Sequence, residues 1–179
     1  YQAEDEVRTA ISIATVNGRQ LVFFGDLDGY AYALDAITGV EIWKRLMDEH
    51  PVVMITGSPV YHDGILYVPL SSFEAAHAVN PLYNCCTFQG GVHAVNAQTG
   101  ESVWKTRTIE KPAEQTGRNI LGVRQYAPSG APVWSAPTID VKRGVLYVGT
   151  GQNYSSPADD GSDAIIAMDL KTGSIRWKR

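Results

Sequence analysis

The chain has 179 residues, 44 % of them hydrophobic and 19 % charged, with a formal net charge of −4. That length suits one ordinary domain, and the acidic balance argues against nucleic acid as a partner. No run of about 18 apolar residues occurs, so nothing in it reads as a transmembrane segment.

In chain order, residues 7–45 read as one four-stranded unit, with strands at 7–15, 20–26, 29–36 and 40–45. Asn17-Gly18, Asp26-Leu27-Asp28-Gly29 and Thr38-Gly39 separate them. Residues 52–108 read as a second unit, with strands at 52–64, 65–72, 90–97 and 101–108. Residues 132–178 read as a third, with strands at 132–144, 145–151, 164–170 and 174–178. Ser58-Pro59 and Ala136-Pro137 fall in the first strand of their units, where proline suits an innermost or edge position.

One pattern returns in all three units: AYALDAITGVEIWK (31–44), VHAVNAQTGESVWK (92–105) and IIAMDLKTGSIRWK (165–178). Residues before the acid or amide alternate as a half-buried strand does. Asp35, Asn96 or Asp169 bonds its own turn, and Gly39, Gly100 or Gly173 takes positive φ without a Cβ penalty. The hairpin then carries a tryptophan that it cannot bury alone, whereas a stack of units can. Trp43, Trp104 and Trp177 are therefore inter-repeat packing residues with no catalytic role. Four short strands per repeat match a β-propeller blade. The Trp-to-Trp separations of 61 and 73 residues exceed one blade, and the excess falls in insertions at 73–91, 107–131 and 152–163. Long loops on a rigid scaffold are where function tends to sit. Three blades do not close a ring, and with neither an initiator Met nor a signal-peptide pattern both ends read as cut. The chain reads as an all-β segment of a larger propeller. The adjacent pair Cys85-Cys86 lacks the spacing of a zinc site, and His50, His62, His77 and His93 read as surface or structural residues.

The signature Ala-x-Asp-x-x-Thr-Gly-x-x-x-Trp resembles the tryptophan-docking motif of the pyrroloquinoline quinone (PQQ) dehydrogenases, which are eight-bladed quinoproteins. The segments VWSAPTIDVKRGVLYVGTGQNYS (133–155) and NPLYNCCTFQGGVHAVNAQTGESVWK (80–105) are most similar to the polyvinyl alcohol dehydrogenase branch. The resemblance implies a periplasmic enzyme that oxidises secondary or polymeric alcohols with PQQ and Ca²⁺ and passes electrons to a cytochrome c. A second reading, from another class, is a non-catalytic quinoprotein-like propeller acting as a binding or outer-membrane assembly scaffold, since a fold does not fix a function.

The resemblance also implies roles for particular residues. Glu74 stands where the family places a calcium-binding glutamate; the alternative is a solvated loop carboxylate. The family's Gly-Thr-Gly-Asn supplies a calcium-binding Asn, but here Gln152 follows Gly149-Thr150-Gly151 and Asn153 comes next, so Asn153 is taken as the ligand. Trp134 stands near the family's tryptophan that stacks on the flat quinone, with core packing as its alternative. Cys85-Cys86 is read as a vicinal disulfide over the cofactor, although the family's lies in a different blade; free thiols or a loop-stiffening disulfide are the alternatives. Ser71 and Ser72 are candidates for the cofactor's carboxylates. The family's catalytic base follows in a later blade, so no catalytic residue is assigned here.

Overall fold

The three repeat units form three antiparallel meanders in the computed structural model, which describes residues 1–179. Blade 1 is β1 (Ser12–Val16), β2 (Arg19–Gly25), β3 (Tyr30–Asp35) and β4 (Glu41–Leu46), paired in that order. Residues 7–11, expected in its first strand, lie outside it. Side chains rather than a strand hold that backbone, with Thr9 bonding both the N–H and C=O of Gly25 and the Ala10 N–H donating to Ser58 Oγ.

In blade 2 the long first strand expected at 52–64 is two short ones, β5 (Val53–Met54) and β6 (Val60–His62), both paired with β7 (Ile65–Ser72). The break includes Pro59, which has no N–H for a ladder. One helical turn, α1 (Glu74–His77), follows β7, and β8 (Gly91–Asn96) and β9 (Ser102–Arg107) complete the blade. The 107–131 insertion, expected as loop, contains a hairpin of β10 (Glu114–Arg118) and β11 (Arg124–Ala127). Blade 3 is β12 (Thr138–Asp140), β13 (Val145–Gly149), β14 (Ile165–Asp169) and β15 (Ile175–Lys178). No helix is long and apolar enough to cross a membrane.

The repeated motif builds the same object three times. Asp35 Oδ1 accepts the N–H groups of Ile37 and Thr38 at 3.0 and 2.7 Å. Asn96 does the same for Gln98 and Thr99, and Asp169 for Lys171 and Thr172. The following glycines have φ of 70°, 71° and 74°. Ala33, Ala94 and Ala167 lie directly opposite Trp43, Trp104 and Trp177 across the strand pair, which explains the alanine: a small residue leaves room for the indole. A bulge follows that pairing in each blade.

The indoles of blades 1 and 2 dock on the turn of the next blade. Trp43 donates Nε1–H to the Ala97 carbonyl at 2.9 Å and lies against Gly100, whose ideal Cβ would sit 2.8 Å from Trp43 Cδ2. A Cβ on Gly173 would sit 2.5 Å from Trp104 Cε3. Trp177, in the last repeat, is 40 % exposed.

Two apolar clusters fill the spaces between blades. Leu66, Val68 and Leu70 of β7 face Phe23, Ala31 and Trp43 of blade 1, while Tyr67 joins Val133, Leu146 and Ile166 of blade 3. Strands β7 and β8 of the middle blade are thus buried on both faces, rather than on one as alternation alone implied. Alternate strand directions bring the β2–β3, β7–β8 and β13–β14 connections and the links between blades to one end of the sheets. All three insertions are therefore at that end.

Candidate cofactor and metal site

The insertions are laced to one another by backbone hydrogen bonds, which satisfy loop groups that no strand ladder reaches. Gly130 N–H donates to Phe88 O at 2.8 Å and Gly130 O accepts Gly90 N–H at 2.9 Å, while Ala131 N–H donates to Gln152 O at 2.9 Å. Tyr154 N–H reaches Ser129 O at 2.9 Å, and the Ser129 and Ser155 hydroxyls are 2.7 Å apart. The sequence shows three separate loops; the structure shows one layered platform.

Glu74 is at its centre and is fully buried, which excludes the solvated-loop reading. Its Oε1 accepts the Tyr83 hydroxyl at 3.1 Å and the Thr87 N–H at 2.8 Å, and its Oε2 accepts the Phe88 N–H at 2.7 Å. A buried carboxylate needs such partners to offset its lost hydration. His50 Nε2 stands 3.7 Å from Oε1 and 3.0 Å from Thr87 Oγ1. Burial lowers the His50 pKa, against the opposing pull of the Glu74 and Asp48 charges. Burial also raises the Tyr83 hydroxyl to about 12, and the Glu74 charge adds to that rise. Asp48 in turn lies under Arg107 and Lys105, at 2.5 and 3.2 Å, and accepts the His50 N–H at 3.0 Å. Burial pushes its pKa up, but those cations and that N–H outweigh burial and leave it lowered.

Asn153 pairs with Gly130 in an isolated bridge, and its amide nitrogen donates to Ser155 O at 2.8 Å, so its carbonyl oxygen is the end left for a ligand. The next residue, Tyr154, ties this segment to Glu74's: its hydroxyl donates to Ser72 O at 3.3 Å and its ring stacks on Phe88 at 6.4 Å. Gln152, in the family's position for the ligand, is exposed and has only its carbonyl engaged.

A hard cation takes six to eight oxygens. Glu74 Oε2 carries one hydrogen bond and retains a lone pair, and the Asn153 oxygen is a second donor of the right chemistry. The donor types fit Ca²⁺, and two of them are fewer than such an ion takes. No group of three or more His, Cys, Asp and Glu side chains is arranged to hold a metal.

Trp134 precedes β12 and is 40 % exposed, so it is not packed into the core of these blades. Its carbonyl accepts the Thr56 hydroxyl at 3.4 Å, and its indole lies on Gly151, whose ideal Cβ would be 2.6 Å from Nε1. Only glycine allows that approach. Ser71 and Ser72 are buried and their hydroxyls are engaged internally: Ser71 Oγ donates to Met54 O at 3.0 Å and contacts Thr56 Oγ1, and Ser72 Oγ accepts the Glu74 N–H at 3.4 Å. Cys85 and Cys86 are joined as a vicinal disulfide, with Cys86 fully buried and Cys85 pairing with Gln125 of the hairpin. Free thiols are excluded. The disulfide immediately precedes Thr87 and Phe88, the residues whose N–H groups hold Glu74.

Sequence reasoning missed Tyr83, Thr87, Phe88 and His50. The first three make contacts that run through a loop with no periodic pattern, and the histidine has no ligand spacing to mark it.

Residues 54–179 match the family described as glucose/ethanol/alcohol dehydrogenase, beta-propeller domain (PQQ). A polyvinylalcohol dehydrogenase of a Pseudomonas species is 46 % identical over 156 residues, covering 87 % of this chain and 24 % of that protein. Another, from Sphingopyxis sp. (strain 113P3), is 39 % identical over 181 residues, covering 99 % of this chain and 28 % of that protein. The crystal structure of quinohemoprotein alcohol dehydrogenase from Comamonas testosteroni superposes with a TM-score of 0.65 at 25 % identity, over 89 % of this chain and 25 % of that one. The chain spans about a quarter of the length of these relatives. By its repeats, its blade docking and the family match over residues 54–179, the chain belongs to the PQQ-type glucose/ethanol/alcohol dehydrogenase β-propeller family, of which it forms three consecutive blades.

Proposed function

We propose that these blades are part of a PQQ- and Ca²⁺-dependent alcohol dehydrogenase acting on secondary or polymeric alcohols. The observation that carries the reading is the convergence of the three insertions on a buried, hydrogen-bonded carboxylate, Glu74, at the same end of the sheets as the exposed Trp134. The identity to the two polyvinylalcohol dehydrogenases supports the substrate class. In this reading Glu74 and Asn153 contribute oxygens to the cation, further blades and the cofactor complete its shell, and Trp134 offers a flat apolar face to the quinone. The quinone supplies the two-electron acceptor and the cation a Lewis acid. The vicinal disulfide fixes the approach of the loop to Glu74. The general base, a periplasmic location and a cytochrome c acceptor belong to the same proposal.

The test is a dye-linked oxidation assay on the full-length protein, reconstituted with PQQ and Ca²⁺ and offered primary, secondary and polymeric alcohols. Dye reduction that requires both PQQ and Ca²⁺, with preference for secondary or polymeric alcohols, is the expected result. Absence of turnover, together with no quenching of tryptophan fluorescence by PQQ, would overturn the reading.

A further inference from the structure

Among the four tryptophans, Trp134 is held differently. Trp43, Trp104 and Trp177 each pair with a ring on their own sheet, Phe23, Tyr67 and Tyr147, at 6.2, 5.8 and 5.8 Å between centroids. Trp134 has no aromatic partner and joins none of the three apolar clusters. Its backbone is fixed instead. The Val133 N–H donates to Leu70 O at 2.9 Å, and the Thr56 hydroxyl donates to the Trp134 carbonyl at 3.4 Å. Gly57 lies so close to the next carbonyl that its ideal Cβ would be 2.6 Å from Ser135 O. The indole itself lies on the backbone of Gly151, where an ideal Cβ would sit 2.6 Å from Nε1 and 3.1 Å from Cδ1.

The three residues of Gly149-Thr150-Gly151 are not equivalent. Gly149 ends β13, pairs with Ile165 and has no heavy atom within 4 Å of its ideal Cβ, so a methyl fits there. Thr150 ties down the third insertion: its hydroxyl donates to Gly161 O at 2.6 Å and accepts the Ala164 N–H at 3.0 Å. Gly151 is held at both backbone groups, its N–H donating to Pro132 O at 2.8 Å and its carbonyl accepting the Asp163 N–H at 3.0 Å. It is not among the positive-φ glycines, so what it supplies is space rather than backbone freedom. A methyl at this position can be relieved only by breaking one of those bonds or by moving the indole.

We propose that Gly151 is a positioning residue: its missing side chain lets the Trp134 indole lie on the backbone of the third insertion, and that contact holds the ring in place for the quinone. The loop that offers the Asn153 oxygen thereby also sets the cofactor's flat apolar partner. This inference rests on the reading of Trp134 as the residue that stacks on the quinone. A group that meets a ligand is only as well placed as whatever holds it.

The experiment uses the full-length protein with PQQ itself as the probe and Ca²⁺ held constant, in Gly151→Ala, Gly149→Ala, Trp134→Ala and the double variant Trp134→Ala/Gly151→Ala. Fluorotryptophan-labelled protein reports the indole with no cofactor present. The fluorine resonance that Trp134→Ala removes shifts in Gly151→Ala and stays in place in Gly149→Ala. In equilibrium dialysis Gly151→Ala binds PQQ about tenfold more weakly, because an added methyl displaces packed groups, while Gly149→Ala binds as wild type does. With Trp134→Ala already present, Gly151→Ala causes no further loss, since residues in contact are not additive. Should Gly151→Ala alone not fold, the double variant folds, because the indole it collides with is gone; failure of both overturns the proposal. Equal PQQ affinity in Gly151→Ala and Gly149→Ala, or the same fold-loss with and without the indole, also overturns it. Trp134→Ala is the control for the underlying reading. If it leaves PQQ affinity intact, the stacking role falls and the cofactor role of Gly151 with it, whatever the fluorine spectrum shows. If it weakens binding while Gly151→Ala does not, only the Gly151 role falls.

Discussion

Changing Gly173 to alanine isolates the energy of blade docking. The residue has φ 74°, and its ideal Cβ would lie 2.5 Å from Trp104 Cε3 and 2.6 Å from Thr106 Oγ1. Holding an L-residue in the left-handed region costs roughly 1–2 kcal/mol, and forcing a methyl into a packed contact costs roughly 1–3 kcal/mol more. The Thr106 hydroxyl, which donates to Gly173 O at 2.9 Å, has to move with the indole. Gly64 supplies the reference. It has φ 81° on the neighbouring turn of blade 2, with no heavy atom within 4 Å of its ideal Cβ, so Gly64→Ala carries only the conformational cost. The assay is equilibrium denaturation of the full-length protein, comparing midpoints at constant slope. Gly173→Ala is expected to be less stable than Gly64→Ala by about 1–3 kcal/mol. Equal destabilisation by the two would refute the claim that the turn glycine is there to seat the preceding blade's tryptophan.

Other consequences are as direct. Trp43→Phe leaves the buried Ala97 carbonyl without its donor and lowers stability by about 1–3 kcal/mol from that loss alone, measurable in the same denaturation experiment. Glu74→Gln places an amide NH₂ against a backbone N–H of Thr87 or Phe88; exchange of those two amides in metal-free protein accelerates by about 30-fold, the equivalent of roughly 2 kcal/mol. Asp48 has a folded pKa below its unfolded value, so its stabilisation is present above about pH 4 and is lost as pH falls through the folded value. Asp48→Asn should therefore be less stable than wild type at neutral pH, with the gap narrowing in acid; parallel acid limbs would contradict this. Cys85 and Cys86 should resist iodoacetamide in unfolded, unreduced protein and both alkylate after dithiothreitol, read by peptide mass.

The repeat was legible because its physics is local. Asp35, Thr38 and Gly39 solve a turn within five residues, and the tryptophan follows at a fixed offset, so three copies reveal the blade without any knowledge of neighbours. The insertions were legible only as excess length. Glu74 shows why: its donors come from residues 9 to 14 positions away through an aperiodic loop, and His50 approaches from another blade's exit. The β10–β11 hairpin carries no alternating apolar pattern because all five residues of β10 are exposed. Ser71 and Ser72 are candidates by type alone; that Ser71 Oγ donates to Met54 O follows from the pairing of β5 with β7, which the sequence does not display.

The tryptophan contact has a direction: a donor indole on one blade enters an acceptor turn on the next. Such head-to-tail joints have no internal stopping point and end only when rotation brings the last donor back to the first acceptor. Three blades leave the acceptor turn of Thr38-Gly39 open at one flank and Trp177 open at the other. Closure therefore satisfies the last donor and the first acceptor together, by the same contact as every other joint along the ring. Cut anywhere, such a ring yields pieces whose two flanks fit each other, and the same complementarity that shuts the circle within one chain would string separate pieces into a line.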